Sequence, residues 1–199
     1  EDGGFKLLNS VLQNNKIEFY TKPNVIQTCN IVIITIGTPI DEHFNPNISI
    51  FINAIEKIKA YLTNNQVLIL RSTLYPGTTQ KIYDTLKKDK LNIGVSYCPE
   101  RIAQGKAIVE LETLPQIIAC NDDETLIRVK SLFSKITNKL IILSYEEAEL
   151  AKLFSNAWRY IKFSVANQFY MMSTETGIDF YKVREGMMED YSRASDFPK

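Results

Sequence analysis

Four polar residues near the end of the chain carry side chains well suited to chemistry, and all lie on one predicted helix. Residues 145–177 contain no proline, and glycine occurs only at the last position, while apolar residues recur every three or four positions. This pattern predicts a long helix with one apolar stripe. Lys152, Asn156, Arg159 and Asn167 are separated by four, three and eight residues, so their side chains point to one side of it. Two cations and two amides on one face form either a solvated stripe or the wall of a binding site.

Three loops that follow predicted strands have a composition suited to ligand binding. They are Gly37–Asp41 (GTPID), Ser72–Thr79 (STLYPGTT) and Cys98–Arg101 (CPER). In an open parallel sheet, ligands bind beyond the carboxyl ends of the strands. The hydroxyls and helix-start amides of the second loop suit a phosphate, a ribose or an ordered water. Glu100 suits a general base or a polar anchor, although Gly-Thr-Pro and Pro-Gly-Thr are also ordinary turn and cap sequences.

The elements that position these loops alternate between strand and helix over the first three quarters of the chain. Continuous apolar runs predict strands buried on both faces, and period-3.6 patterns between them predict helices, so a parallel α/β sheet is expected. After Leu143 the pattern becomes all-helical. Residues 17–21 alternate like a further short strand, and residues 101–114 show no clear period. The predicted strands are 31–36, 66–71, 93–97, 116–120 and 140–143, and the predicted helices are 4–14, 49–63, 78–88, 122–135, 145–177 and 180–189.

The overall composition argues against a nucleic-acid or membrane-surface protein. The 199 residues include 23 Lys and Arg and 23 Asp and Glu, so the chain has no cationic excess. A hydrophobic content of 45% fits an ordinary globular protein, and no apolar run is long enough to span a bilayer.

The cysteines and the single histidine do not form a recognisable metal or catalytic set. Cys29, Cys98 and Cys120 lack CxxC spacing, and His43 stands alone in a polar loop. An odd, scattered cysteine count favours a reducing cytoplasm, with each cysteine acting as a small buried apolar residue rather than a nucleophile. The chain also contains no Gly-x-Gly-x-x-Gly loop, which is the usual pyrophosphate cradle.

Four segments taken together resemble one known family. Ile31–Asp41 (IVIITIGTPID), Arg71–Thr79 (RSTLYPGTT), Cys98–Leu111 (CPERIAQGKAIVEL) and Glu149–Asn167 (ELAKLFSNAWRYIKFSVAN) are similar, in order and spacing, to the UDP-glucose/GDP-mannose dehydrogenase family. The resemblance implies a partial Rossmann-like parallel sheet without its first βαβ unit, over residues 1–144. It implies an incomplete all-helical central domain, over residues 145–199, entered through the long connecting helix.

The resemblance also implies a reaction and a cofactor. Members of this family oxidise the 6-hydroxyl of a nucleotide sugar to a carboxylate with two molecules of NAD, through an aldehyde and a cysteine thioester. They supply precursors for surface polysaccharides. The long helix forms their dimer contact, so a cytoplasmic homodimer that binds a UDP-sugar, and neither nucleic acid nor membrane, is expected.

Site roles follow from the resemblance, residue by residue. Lys152 is similar to the family's active-site lysine and Asn156 to its partner amide, both of which would stabilise negative charge at the sugar's C6 oxygen. Glu100 resembles the glutamate that handles water or protons in thioester hydrolysis, and Thr73 the hydroxyl that helps hold that water. Gln104 stands where many relatives carry glutamate, which puts an acid role there in doubt. The implied cofactor contacts are Gly37, Thr38, Pro39, Ser72, Thr73 and Gln104, and the implied substrate contacts are Glu100, Arg101, Ile102, Lys152, Asn156 and Arg159.

One departure bears on the sugar. The run Asn156–Tyr160 (NAWRY) resembles the branch that oxidises N-acetylated amino sugars more than the UDP-glucose branch. A guanidinium at Arg159 suits contacts with sugar or phosphate oxygens, and it equally suits a surface or an interface.

Several family features have no match in these residues. The Gly-rich loop, the ribose-reading acid, the catalytic cysteine and the third, nucleotide-binding domain would all lie outside them, and none of the three cysteines falls at the nucleophile's position. We therefore expect an internal fragment without dehydrogenase activity of its own. An inactive remnant or dimerisation module is the alternative. Another β-hydroxyacid-type dehydrogenase, with a lysine and an asparagine on an interdomain helix, is less favoured because of the Cys98–Arg101 and Ser72–Thr79 loops.

Overall fold

The chain divides into two compact units in the computed structural model, which describes residues 2–14, 16–38, 48–103 and 105–198. The first unit is Glu1–Lys152 and the second is Leu153–Lys199. The division falls inside a long helix, later than the predicted boundary at 144. The domain limits given above stay a prediction.

A five-stranded sheet forms the centre of the first unit, with its strands in the order in which they occur along the chain. They are β1 (Ile31–Ile34), β2 (Val67–Leu70), β3 (Gly94–Tyr97), β4 (Gln116–Cys120) and β5 (Leu140–Ile142). β1 pairs with β2, β2 with β3 and β4 with β5 in parallel. The α/β fold with a mainly parallel sheet, as predicted, is therefore confirmed.

The pairing of β3 with β4 is antiparallel, which departs from the otherwise parallel arrangement of the sheet. A parallel crossover requires a helix that packs on a face of the sheet. The helix in this connection, α4 (Ala107–Thr113), is only seven residues long and has no buried residue. It therefore does not act as a crossover helix, and the chain enters β4 in the opposite direction.

The remaining helices agree closely with the periodic patterns. Residues 17–21 were predicted as a strand, but they do not form one. They are exposed, and the described part of the chain has no neighbouring strand with which they pair. Conversely, α4 forms where the sequence showed no period. The other helices are α1 (Asp2–Gln13), α2 (Ile48–Lys59), α3 (Thr78–Lys88), α5 (Asp123–Phe133), α6 (Tyr145–Glu175) and α7 (Phe180–Met188), with 3-10 turns at Pro23–Thr28 and Ser192–Ala194.

Two apolar clusters cover the two faces of the sheet. Leu68 and Leu70 of β2 belong to the cluster that includes residues of α2, α3 and the start of α6. Val67 and Ile69 belong to the cluster that includes residues of α5. All four side chains are fully buried, as the continuous apolar run predicted. Each such burial contributes about 1.5–3 kcal/mol to stability, so β2 is the rigid centre from which the neighbouring loops project.

β1 differs from β2, although both have the same apolar sequence character. Val32 and Ile34 are buried, but Ile33 is 45% exposed, so the prediction that this strand is buried on both faces was wrong. β1 is an edge strand, and Ile33 is not part of the apolar cluster against which Ile31, on the same face, is partly buried.

The second unit contains the remainder of α6, then α7 and the last 3-10 turn. Phe197 stacks on Phe169 with ring centroids 5.7 Å apart, and Lys162 pairs with Asp196 at 3.0 Å. Arg184 donates to the carbonyl oxygens of Phe197 and Pro198. The last residues thus fold back on the helices. No helix in the described ranges has the length and apolar character needed to span a membrane.

Candidate active site

The carboxyl ends of β1, β2 and β3 lie at the same edge of the sheet, because the three strands are parallel. Hydrogen bonds join the loops that leave the first two of these strands. Ser72 Oγ donates to the carbonyl oxygen of Ile36, and Thr38 Oγ1 donates to that of Thr73 at 3.0 Å. The structure therefore brings together Thr38, Ser72 and Thr73. Both donating hydroxyl oxygens keep lone pairs that can accept from a ligand.

The backbone at Gly37 faces space that is open among the described residues, since a Cβ built there would meet none of their atoms within 4 Å. This space lies beside Thr38 at the end of β1. A flat ring or a ribose could approach the main chain here without displacing any of the described side chains.

Glu100 leaves the third strand exit, and its carboxylate is held on both oxygens. Oε1 accepts from the amides of Arg101 at 2.8 Å and Ile102 at 3.0 Å, and Oε2 accepts from Nη2 of Arg71. Burial alone would raise the pKa of Glu100, but the hydrogen bond and charge of Arg71, together with the two amides, lower it below its ordinary value. Glu100 is therefore an ionised acceptor at neutral pH, which suits a base rather than an acid.

Arg71 is a residue of this site that the sequence analysis did not single out. Its side chain is only 10% exposed, and its guanidinium carbon lies 5.2 Å from the ring centroid of Phe133. Nη1 is buried and has no hydrogen-bond partner among the described residues. An arginine directly after a buried strand, at the head of the Arg71–Thr79 segment, was the available signal.

Lys152 reaches the same strand exit from α6. Its Nζ donates to the carbonyl oxygen of Glu100. About two turns earlier on the same helix, the Tyr145 hydroxyl donates to the carbonyl oxygen of Val95 at 2.7 Å. Lys152 is thereby tied to the main chain of Glu100 at this strand exit. A cation beside a base at the carboxyl edge of a sheet can stabilise an alkoxide and remove a proton.

Glu149 changes the interpretation of the loop after β2. Its side chain is completely buried, and its carboxylate accepts from the amides of Gly77 at 2.6 Å and Thr79 at 2.8 Å and from Thr79 Oγ1 at 2.6 Å. The expectation that these helix-start amides bind a phosphate, a ribose or a water was therefore wrong, because a side chain already occupies them. The sequence placed Glu149 only within the family motif and gave it no role.

The remaining predicted contacts at the third strand exit have structural partners. Arg101 donates through Nη2 to the carbonyl oxygen of Pro115, and its amide and that of Ile102 hold Glu100. Pro39 and Gln104 lie outside the described residues, so their predicted cofactor contacts stay predictions.

Asn156 and Arg159 belong to the second unit and are described within it. Both are exposed, and together with Tyr160 and Phe163 they line an open depression on α6. The guanidinium carbon of Arg159 lies 5.9 Å from the Phe163 ring centroid. Asn167 contributes to a separate depression with Tyr170 and Phe180 and neighbouring residues.

The cysteines are poorly placed for nucleophilic chemistry. Cys98 is fully buried, and this burial raises the pKa of its thiol to about 12. Burial also raises the pKa of Cys120, and both sulfur atoms lie 3.2 Å from the Ser96 hydroxyl oxygen. Within the described part of the chain, no group of three or more His, Cys, Asp or Glu side chains could hold a metal ion.

The carboxyl edge of this mainly parallel sheet carries hydroxyls, a carboxylate and the lysine of α6. Such an arrangement is typical of the dinucleotide-dependent dehydrogenases. Family models make the assignment specific. The NAD binding domain of the UDP-glucose/GDP-mannose dehydrogenase family matches residues 1–137, and the central domain of the same family matches residues 146–198. The chain belongs to this family, which confirms the resemblance and the expected NAD cofactor.

Individual relatives agree with this assignment. The chain is 31% identical over 183 residues to a UDP-N-acetyl-D-mannosamine dehydrogenase of Methanocaldococcus jannaschii, a match that covers 90% of this chain and 42% of that protein. It shares its fold with a UDP-D-ManNAc dehydrogenase of Pyrococcus horikoshii (TM-score 0.84, 23% identity, 93% of this chain and 46% of the other). A GDP-mannose dehydrogenase of Pseudomonas aeruginosa, solved as a ternary complex, is equally similar in fold (TM-score 0.84, 20% identity, 96% and 46%). The chain thus spans less than half the length of these relatives.

The residues at the sheet edge fit one end of NAD. Open space over Gly37 and the lone pairs of the Thr38 and Ser72 hydroxyls suit a ribose or a nicotinamide ring. The pyrophosphate has no cradle among them, because the amides of Gly77 and Thr79 are bound to a carboxylate and the sequence has no Gly-x-Gly-x-x-Gly loop.

Proposed function

We propose that this chain is part of an NAD-dependent nucleotide-sugar 6-dehydrogenase, which oxidises the C6 hydroxyl of a UDP-sugar to a carboxylate in two hydride transfers. Bound NAD supplies the hydride acceptor in each transfer. The observation that supports the proposal is the contact of Lys152 with Glu100 at one strand exit, where Nζ donates to the main-chain carbonyl oxygen of Glu100, a residue whose carboxylate is ionised. The proposal places the enzyme in the cytoplasm, where its uronate product serves as a precursor of surface polysaccharide.

Lys152 acts on the oxygen at C6. Loss of the hydroxyl proton and departure of hydride from C6 leave an aldehyde, and negative charge develops on the oxygen between these events. An ammonium has three donors, and Nζ of Lys152 donates one of them to the Glu100 carbonyl oxygen at the strand exit. A fixed cation at a developing alkoxide stabilises the transition state more than the ground state. The role of Asn156 as an amide donor, which the family resemblance implies, stays a prediction.

Glu100 handles the proton and the water. The carboxylate is ionised, and its side chain is 37% exposed, so it can take a proton from a water that adds the second carboxylate oxygen. Thr73 follows the neighbouring strand exit and would help to hold that water. No cysteine of these residues is assigned the covalent role, since Cys98 is buried with a raised pKa and no family position matches.

The substrate class we propose is a UDP-N-acetylhexosamine. The Methanocaldococcus jannaschii relative, whose name specifies UDP-N-acetyl-D-mannosamine, and the run at Asn156–Tyr160 both support this class. Arg159 is exposed beside Asn156 in the second unit and would contact sugar or phosphate oxygens. Arg159→Leu should then lower activity on N-acetylated amino sugars alone, and equal losses on UDP-glucose and GDP-mannose would remove this role.

The full-length gene product that contains these residues provides the test. It should reduce two NAD for each UDP-N-acetylhexosamine converted to the uronate, measured by NADH absorbance and by chromatography of the sugar. Lys152→Met should lower kcat by about 10²–10³-fold, as does removal of one oxyanion donor in other enzymes. Lys162→Met is the matched control, because Lys162 lies on the same helix and pairs only with Asp196 among the described acidic groups. Equal kcat values in Lys152→Met and Lys162→Met would contradict the proposal.

A second candidate function, dimerisation through α6, is supported by the exposed apolar surface of the second unit. Phe154, Trp158, Tyr160 and Ile161 are 50–76% exposed, which is unusual for a run of large apolar residues on one helix. A homodimer in which two copies of α6 meet would cover them. Sedimentation should show a dimer that Trp158→Asp separates into monomers, and a monomeric wild type would exclude this candidate.

A further inference from the structure

The first two turns of α6 contain a buried group that the proposed reaction does not use. We infer that Glu149 is a positioning residue, whose carboxylate ties the corner after Ser72 and Thr73 to the helix that carries Lys152. This inference rests on the proposed function. It assigns to Glu149 the task of fixing where the ammonium of Lys152 stands relative to the strand exits.

The corner after β2 requires an acceptor that its own residues do not supply. Gly77 is the N-cap of α3 and has φ +84°, a conformation that glycine adopts without strain but that leaves the cap without a side chain. The first amides of a helix have no partner within the helix. Glu149 accepts from the amides of Gly77 and Thr79, and it lies near the positive end of the α3 dipole. It therefore caps α3 from another element of the fold.

The same side chain belongs to a row of three anchors on α6. Tyr145, Glu149 and Lys152 are spaced by four and three residues, so they share one face of the helix. Tyr145 binds the Val95 carbonyl, Glu149 binds the α3 corner, and Lys152 binds the Glu100 carbonyl. The first two contacts fix the rotation of α6 about its axis, and this rotation decides where the third side chain points.

A small rotation is enough to matter. A side chain about 6 Å from the helix axis moves by about 1 Å when the helix turns by roughly 10°. A displacement of about 1 Å at a reacting group costs up to about 10²-fold in rate. An anchor with three hydrogen bonds from buried or half-buried groups is well suited to prevent such a rotation.

Glu149→Gln tests this role directly. Oε2 accepts from Gly77 and Oε1 accepts from both donors of Thr79, so the NH₂ of glutamine must face at least one N–H donor. Kcat should fall by about 10–100-fold while KM for the nucleotide sugar changes by less than about threefold. Glu147→Gln is the matched control, because Glu147 lies in the same turn, is exposed, and has its hydrogen bonds with the neighbouring Ser144.

A milder pair of variants covers a failure of Glu149→Gln to fold. Thr79→Val removes the hydroxyl donor and keeps the amide, and Thr79→Ser keeps both. A positioning role predicts that kcat, measured well below the Tm of both variants, falls in Thr79→Val and recovers in Thr79→Ser. Equal kcat values in the two folded variants would overturn the inference.

Chemical labelling separates this inference from the proposed function. Acylation of Lys152 by a water-soluble active ester, followed by mass spectrometry with Lys162 as the internal reference, requires no turnover. The rate at Lys152 should rise several-fold in Glu149→Gln and in Thr79→Val. If wild type oxidises none of the sugars, the proposed function fails, and labelling still decides whether Glu149 positions the lysine. An unchanged labelling ratio in both variants overturns the inference, whatever the activity.

Discussion

Replacing Arg71 by methionine removes the positive partner of Glu100 while it preserves much of the apolar side-chain volume. Arg71 donates to Oε2 of Glu100, and its guanidinium lies 5.2 Å from the Phe133 ring centroid. In the variant, a half-buried carboxylate keeps only the amides of Arg101 and Ile102. We expect both a loss of stability and a change in how stability depends on pH.

The magnitude follows from the burial of the two partners. Breaking a buried ion pair costs about 3–5 kcal/mol, and breaking an exposed pair costs less than about 1 kcal/mol. The Arg71 side chain is 10% exposed but that of Glu100 is 37% exposed, so solvent screens the pair substantially. A loss of about 1–3 kcal/mol in the free energy of unfolding at neutral pH is expected for Arg71→Met.

The pH dependence has a defined sign. Because the pKa of folded Glu100 lies below its ordinary value of 4.5, the pair's contribution is complete above 4.5 and disappears as the pH falls through the lowered folded value. Without Arg71, burial becomes the dominant influence and raises the pKa of Glu100 relative to wild type. The stability difference between wild type and Arg71→Met should therefore be largest at neutral pH and should shrink in acid.

Urea unfolding between about pH 3 and about pH 7 measures this difference. Arg71→Lys retains a charge and should recover part of the stability, whereas Glu100→Gln should remove the acid-dependent part in both backgrounds. A constant difference between wild type and Arg71→Met across the whole range would refute the reasoning, since packing alone then explains it.

Three further predictions concern the cysteines and the packing of the core. Cys98, whose pKa is about 12, should resist iodoacetamide in the folded protein and react after unfolding, and the 199 residues alone should give no cysteine-dependent burst of NADH. Gly94→Ala should destabilise by about 1–3 kcal/mol, because its Cβ would lie 2.3 Å from Thr125 Oγ1, and Thr125→Ala in the same chain should recover part of this in thermal unfolding. Gly186→Ala in α7 is the control, because a Cβ there would meet no described atom within 4 Å beyond the helix's own backbone, and it should stabilise the fold. Destabilisation of both alanine variants would contradict the packing argument.

The elements of the sheet were predictable because local sequence determines them. The apolar run of β2 and the helical period of α3 agree with the structure to within a residue or two. The direction in which neighbouring strands pair and the exposure of their side chains were less predictable. Nothing in residues 116–120 distinguishes a strand antiparallel to β3, and Ile33 has the same sequence context as a buried residue although it lies on an edge strand. Pairing and layer coverage depend on distant residues, which periodicity does not report.

The candidate site was predictable where a family motif carried it and not where tertiary contacts made it. The motifs placed Glu100 and Lys152 in the same site, and the structure joins them through one hydrogen bond. Arg71 and Glu149 were missed because their roles depend on partners 29 and 70–72 residues away. A charged side chain that is buried against such partners cannot be distinguished, in a single sequence, from one on a solvated face.

The cap that Glu149 supplies also has a consequence for synthesis of the chain. Its acceptor oxygens lie 70–72 residues after the amides that they bind. At roughly 5–20 residues per second, α3 is synthesised about 4 to 14 seconds before its cap exists. During that interval the α3 start is a frayed end next to a newly made β-strand. Completion of this corner is therefore a late event of folding. Amide exchange at Gly77 and Thr79, measured in ribosome-bound chains of increasing length, would show at which chain length α6 begins to protect these amides.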